Sequence, residues 1–185
     1  MTVEEIYKEI AHHMVNGMMF HDEMANYYDF LGLKGYKRCH EYHFIEETCN
    51  YRKICRYYIN HHNKLIPEAE HDYVSVIPST WYMHTRDDVD EGTKKSAVKT
   101  GMTKWVEWER KTKQKYEQAY THLLELGEIA SACRVHECIC DVDCELKKAE
   151  RYLLNCEALG YDMVWVISEQ EHLHNKYKEK TPVKL

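Results

Sequence analysis

Apolar and small residues recur near the start of the chain at Val3, Ile6, Ile10, Gly17, Phe20, Met24, Tyr27 and Leu31, with His13 filling one slot of the same seam. A recurrence at every third or fourth position predicts an amphipathic helix. The run "GLKG" at 32–35 then halts the pattern, and glycines so placed mark a helix stop followed by a tight turn. A second helix is expected from Tyr36 to Asn63, folding back on the first, so that residues 3–63 form a helical hairpin.

The second helix carries a polar line. His40, His43, Glu47 and Asn50 follow one another at helical spacing, and Tyr36, Ile54 and Tyr57 extend the line at both ends. If the flanking residues face the interior, so do the polar four. A competing face holds Phe44, Thr48, Tyr51, Cys55 and Tyr58, and the sequence is consistent with either rotation.

Residues 64–93 contain Pro67 and Pro78 and show no sustained period, which makes a connection far longer than the usual loop of about five residues. A third helix is expected at 94–126, with Met102, Trp105, Thr112, Tyr116, Ala119, Leu123 and Leu126 on one face and Glu109 interrupting it. A fourth, at 128–159, has Ile129, Ala132, Ile139, Leu146 and Leu153 on a stripe that also takes in His136 and Asp143. Gly127 and Gly160 punctuate the two, and a shorter fifth helix is expected at 161–179. Residues 94–159 thus form a second hairpin within a single domain, 1–185. At 1.5 Å rise a thirty-residue helix is about 45 Å long, a distance that a thirty-residue connection can cover. The connection is therefore expected to cross the length of the bundle and leave the second and third helices parallel.

Composition changes this picture in three ways. Three phenylalanines against fifteen tyrosines mean that much aromatic bulk carries a hydroxyl needing a partner when buried. The net charge of −6 arises from interspersed acids and bases without a basic patch, which argues against a nucleic-acid partner. Eight cysteines occur without a C-x2-C pair, the N-terminus has no charged-then-apolar leader, and no window approaches a membrane span. Free thiols in a reducing cytoplasm, with no membrane partner, are expected. No Ser-His-Asp elbow, P-loop or dinucleotide fingerprint is present.

Thirteen histidines turn attention to metal or proton chemistry. Counting residues from the turn at Leu33 sets His21 beside Ile45, between His43 and Glu47. A similar count about Gly127 sets Glu109 near Asp143, with His136 on the same stripe. His21, His43, Glu47, Glu109, His136 and Asp143 are therefore the candidate metal ligands, gathered near mid-bundle. Gly17, one turn from His21, leaves room there. Burying several carboxylates together without counter-charge costs several kcal/mol, so such a cluster implies a metal, shared protons or histidine–carboxylate hydrogen bonds. His12, His61, His62, His71, His84, His172 and His174 are expected in solvent, and Trp81, Trp105, Trp108 and Trp165 suit anchors for the crossover and an oligomer contact.

The stretch "FHDEMANYYDFLGLKGYKRCHEYHFIEETCNYRKICRYY" and the order of helices resemble the ferritin-like superfamily. The resemblance implies an all-α, ferritin-like four-helix bundle with one long crossover and a short fifth helix, forming a homo-oligomer. It also implies a metal-binding quartet, a glutamate from each of two helices and Glu-x-x-His from the other two. Glu47-Thr48-Cys49-Asn50 keeps the glutamate but has asparagine in place of histidine, and Asp141-Val142-Asp143-Cys144 is the nearest equivalent on the fourth helix. Two functions follow. One is a transition-metal protein holding iron, manganese or zinc, with iron implying ferrous oxidation or O2 activation. The other is a metal-free scaffold or interaction module without catalytic activity.

Overall fold

The computed structural model describes residues 1–67, 71–178 and 180. Residues 68–70 of the expected crossover, the expected last helical residue Glu179 and the tail 181–185 lie outside the described residues. The chain is all-α: α1 (Val3–Phe30), α2 (Lys34–His62), α3 (Glu91–Glu125), α4 (Ile129–Ala158) and α5 (Met163–Tyr177), with no strand among the described residues.

Local chemistry fixes the helix ends. The Thr2 hydroxyl accepts from the Glu5 N–H while the Glu5 carboxylate accepts from the Thr2 N–H at 2.7 Å, a reciprocal cap for α1. α3 starts at Glu91 rather than Lys94, because Asp90 accepts from the Thr93 N–H at 2.6 Å and caps the earlier turn. Gly32, Gly127 and Gly160 take φ of +74°, +74° and +56°, the left-handed conformation that closes α1, α3 and α4.

Contacts along the helices give their directions. Tyr7 packs on Tyr58 and Tyr28 on Tyr36, so α1 and α2 are antiparallel. His13 reaches Thr112 and the Tyr27 hydroxyl donates to the Ala97 carbonyl, which makes α3 antiparallel to α1 and parallel to α2. Arg110 pairs with Glu150 and Tyr120 meets His136, so α4 runs back along α3. The described part of the connection after residue 70 climbs along α1 from His12 to Phe30. Asp72 bonds His12 and Asn16, Tyr73 and Ser75 donate to Glu23, Trp81 packs on Tyr27 and Phe30, and Arg86 pairs with Asp29. α5 docks on α2, where Gly35 admits the Gln170 carbonyl so closely that a Cβ would collide with it.

The interior is divided in two. One apolar cluster gathers Phe20, Met24, Tyr28, Tyr36, Met102 and Trp105 with residues of α4 and α5, and the other gathers Ile6, Ile10, Met14, Ile54, Tyr116 and Leu123 with the first half of α4. Between them each of α1 to α4 contributes polar or small residues.

The stripe expected on α4 is rotated. Its buried residues are Ser131, Ala132, Val135, Cys138, Val142, Leu146, Ala149, Tyr152 and Cys156, while Ile129 is exposed. Leu126, expected on the inner face of the third helix, is the C-cap of α3 and is also exposed. The α4 offset is close to one residue, a turn of about 100° about the helix axis.

Candidate metal centre

The polar layer between the two apolar clusters is built from all four long helices. Tyr36 and Ile54 anchor α2 with one face inward, and that rotation buries His40 and His43 and leaves Phe44 exposed. On α1, His21 is buried, and its Nδ1 lies 3.0 Å from Nδ1 of His40. On α3, Glu109 is buried, its Oε1 accepting from the Trp105 indole N–H at 3.0 Å and lying 3.7 Å from Nε2 of His21.

His43 joins two carboxylates. Its Nδ1 lies 3.1 Å from Oε2 of Glu46 and its Nε2 lies 3.1 Å from Oε2 of Glu145 on α4. The Tyr42 hydroxyl donates to the other oxygen of Glu46 at 2.5 Å. Lys148, one turn along α4, places its ammonium 2.8 Å from Oε2 of Glu145 and 3.1 Å from Nε2 of His43.

Glu47 lies behind this group, against Gly17: a Cβ at position 17 would sit 3.3 Å from the Glu47 carboxyl carbon. Oε2 of Glu47 and Nε2 of His40 are buried and have no hydrogen-bond partner among the described residues. His21, His43, Glu46, Glu47, Glu109 and Glu145 all line or border one cavity of about 390 Å³ that also reaches Asp141 and Tyr116.

Burial governs the protons. It pushes Glu47 up to about 8, with the charge of Glu109 adding to the effect. Burial likewise pushes Glu109 up to about 7, although the neighbouring His43 opposes it. His21 and His40 fall well below the usual imidazole range because they are buried beside other cationic groups, so both are neutral at pH 7. For His43 burial acts downward, but its hydrogen bonds to Cys39 and Glu46 and the charge of Glu145 outweigh it and carry the group up to about 10. Near neutrality His43 is protonated, Glu46 is ionised and Glu47 retains its proton, while Glu109 titrates in that range.

Four of the six residues singled out from the sequence, His21, His43, Glu47 and Glu109, meet in this layer. The other two do not reach it. Asp143 turns outward to pair with Lys113 at 2.6 Å and with Lys147, and these lysines hold its carboxyl down at about 2. His136 is exposed beside Tyr120 and Cys140. Both follow from the rotation of α4, which turns their stripe to the outside and brings Glu145 in. His40, Glu46, Glu145 and Lys148 are the residues added. The spacing Glu145-x-x-Lys148 beside the buried Leu146 and Ala149 was the available signal for the last two. His13 packs apart from the layer, stacked on Trp108 with Nε2 at 2.9 Å from the Thr112 hydroxyl, and burial lowers it to about 4.

The donor set suits a metal ion. One atom each from His43, Glu46 and Glu145 lie within 4.8 Å of one another. Imidazole nitrogen with carboxylate oxygen is the donor chemistry of first-row divalent ions. The partnerless Glu47 oxygen is a further acceptor at the same cavity.

No protein-family model and no curated relative matches the chain. Solved structures do. An open-pore ferritin from the hyperthermophilic archaeon Archaeoglobus fulgidus superimposes with a TM-score of 0.73 at 13% identity, over 92% of this chain and 94% of that one. A closed form of the Archaeoglobus fulgidus ferritin, engineered by mutagenesis, gives 0.72 at 13% identity over 92% and 93%. A humanized archaeal ferritin gives 0.74 at 13% identity over 99% and 97%. At this identity the likeness is one of fold: the chain is a ferritin-like helical bundle. Among the described residues no helix is long and apolar enough to cross a membrane.

Proposed function

We propose that this chain is a ferritin-like metal-binding protein whose cargo is a first-row divalent ion, iron, manganese or zinc. His43, Glu46 and Glu145 hold the ion, with Glu47 beside them on α2, Glu109 on α3 and His21 on α1 completing the surround. The observation that carries the reading is the convergence of three donor groups within 4.8 Å beside a buried, partnerless carboxylate oxygen. A bound ferrous ion would bring one-electron chemistry to the layer. The chain itself supplies position and charge: Tyr42 orients Glu46, the Trp105 indole orients Glu109, and neutral His21 and His40 add no positive charge against an incoming cation.

Two further properties belong to this reading. Self-association is supported by an apolar groove of about 850 Å³ on the outer face of α1, lined by Met18, Met19, Phe30, Phe44 and Trp81. A reducing compartment such as the cytoplasm is supported by eight free cysteines.

Metal analysis of tag-free protein after loading with ferrous, manganous or zinc salts tests the proposal. Retention of about one ion per chain is expected, and less than about a tenth of that overturns it.

One observation favours the metal-free scaffold instead, namely that Lys148 already supplies a counter-charge to Glu145. In a scaffold these metals leave the melting temperature unchanged, whereas specific binding raises it by mass action.

A further inference from the structure

The position of Lys148 is unusual for a lysine. Its side chain is only 13% exposed, and its ammonium sits against the pair formed by Nε2 of His43, at 3.1 Å, and Oε2 of Glu145, at 2.8 Å. Those two donor atoms are themselves 3.1 Å apart. The rings of Tyr177 and Trp105 face the ammonium at 5.2 Å and 6.0 Å, so two aromatic faces and the Glu145 carboxylate surround it. A divalent ion bonded to the same nitrogen and oxygen lies about 2.0–2.2 Å from each. On the lysine's side of that pair, such an ion overlaps the space the ammonium fills. Two cations at that separation in a poorly hydrated layer repel strongly.

We propose that Lys148 occupies the seat of the metal and sets the affinity of the site: ammonium and metal ion exclude each other, and loading requires Lys148 to leave His43 and Glu145. The inference rests on the metal-binding reading above and adds its specificity determinant. Lys148 acts as a tethered competitor. It keeps the carboxylates compensated in the empty protein and raises the concentration of metal needed to fill the site. α4 carries the lysine one turn from Glu145, so a change of side-chain rotamer alone is enough to withdraw it.

The test uses the full-length chain and manganese chloride. Calorimetric titration should show Lys148→Met binding manganese at least about ten-fold more tightly than wild type. Lys148→Arg, which keeps the positive charge, should remain at or below wild-type affinity. Acetic anhydride labelling of the wild-type protein, read by mass spectrometry, gives a second measurement that does not depend on a variant folding. Modification of Lys148 should rise several-fold on adding manganese while that of exposed Lys64 stays constant.

Wild type that binds manganese, with Lys148→Met no tighter or with labelling of Lys148 unchanged at saturation, overturns the lysine proposal and leaves the metal reading standing. Binding by Lys148→Met alone supports the lysine proposal and removes the metal function from the wild-type chain. Binding by neither protein overturns both.

Discussion

Gly17 on α1 and Glu47 on α2 meet face to face: a Cβ at position 17 would lie 3.3 Å from Cδ of Glu47 and 3.6 Å from its Oε1. The missing side chain is what allows a carboxylate to enter the layer at this level. Alanine is about 1 kcal/mol more favourable than glycine in a helix interior. Gly17→Ala is therefore expected to leave the metal-free protein at least as stable as wild type, while shifting Glu47 and weakening metal binding. Parallel thermal melts and metal titrations check this, and a loss of stability with unchanged affinity would mean that the contact only fills space.

The layer also sets a pH dependence. Glu47 and Glu109 have folded-state values near 8 and 7 against an ordinary 4.5, so between 4.5 and those values the native state binds more protons than the unfolded chain. The contribution of these two groups to the stability of the metal-free protein must then fall as pH rises through that window. His43 acts in the same sense, since a value raised from 6.5 to about 10 gives stability that is full below 6.5 and lost as pH climbs through 10. The lowered values of His13, His21 and His40 act in the opposite sense below 6.5, so melting temperatures should decline from pH 7 to pH 9. Glu47→Gln removes one ionisation from the layer and should melt at least about 2 °C above wild type at pH 9.

Protons should leave when metal arrives. Ligands bind metal in their deprotonated forms, and His43 and Glu47 hold protons near neutrality in the metal-free layer, with Glu109 partly protonated beside them. Calorimetric titration with manganese in buffers of different ionisation enthalpy is expected to show a net release of at least about one proton per ion at pH 7. Heats independent of the buffer would place the ion elsewhere.

The two sides of α4 make a paired control. Glu145→Gln, which alters an oxygen within 3.1 Å of His43, should reduce metal capacity sharply. Asp143→Asn breaks pairs with Lys113 and Lys147 on the outer side and should leave capacity unchanged, with only a small effect on stability. Metal analysis of the two variants side by side reads the difference.

How much of this was legible depended on how strongly each helix declared its inner face. α1 and α2 did so. The seam from Ile6 to Leu31 is almost wholly apolar, and Tyr36 and Ile54 frame the polar line of α2 tightly enough to orient His43 once one of them is buried. Long helices separated by Gly32, Gly127 and Gly160 also made the crossover topology readable.

α4 did not declare itself. Its inner face sets Val135, Val142, Leu146 and Tyr152 among Ser131, Ala132, Cys138, Ala149 and Cys156, small or sulfur-bearing residues that dilute the apolar signal, whereas Ile129 is exposed and Ile139 and Leu153 lie at the edge. Ranking positions by hydrophobicity alone therefore rotates the helix and promotes His136 and Asp143 over Glu145. Lys148 was hidden for a different reason. A lysine is ordinarily a surface residue, and only the three-dimensional convergence of Glu145 and His43 gives its ammonium a reason to be inside.

An anomalous difference map from a crystal soaked in manganese chloride measures the central claim directly. A peak about 2.0–2.2 Å from His43 and Glu145, with the Lys148 ammonium displaced from both, is the expected result. Peaks confined to surface carboxylates, with Lys148 still bound to Glu145 at full soak, would contradict it.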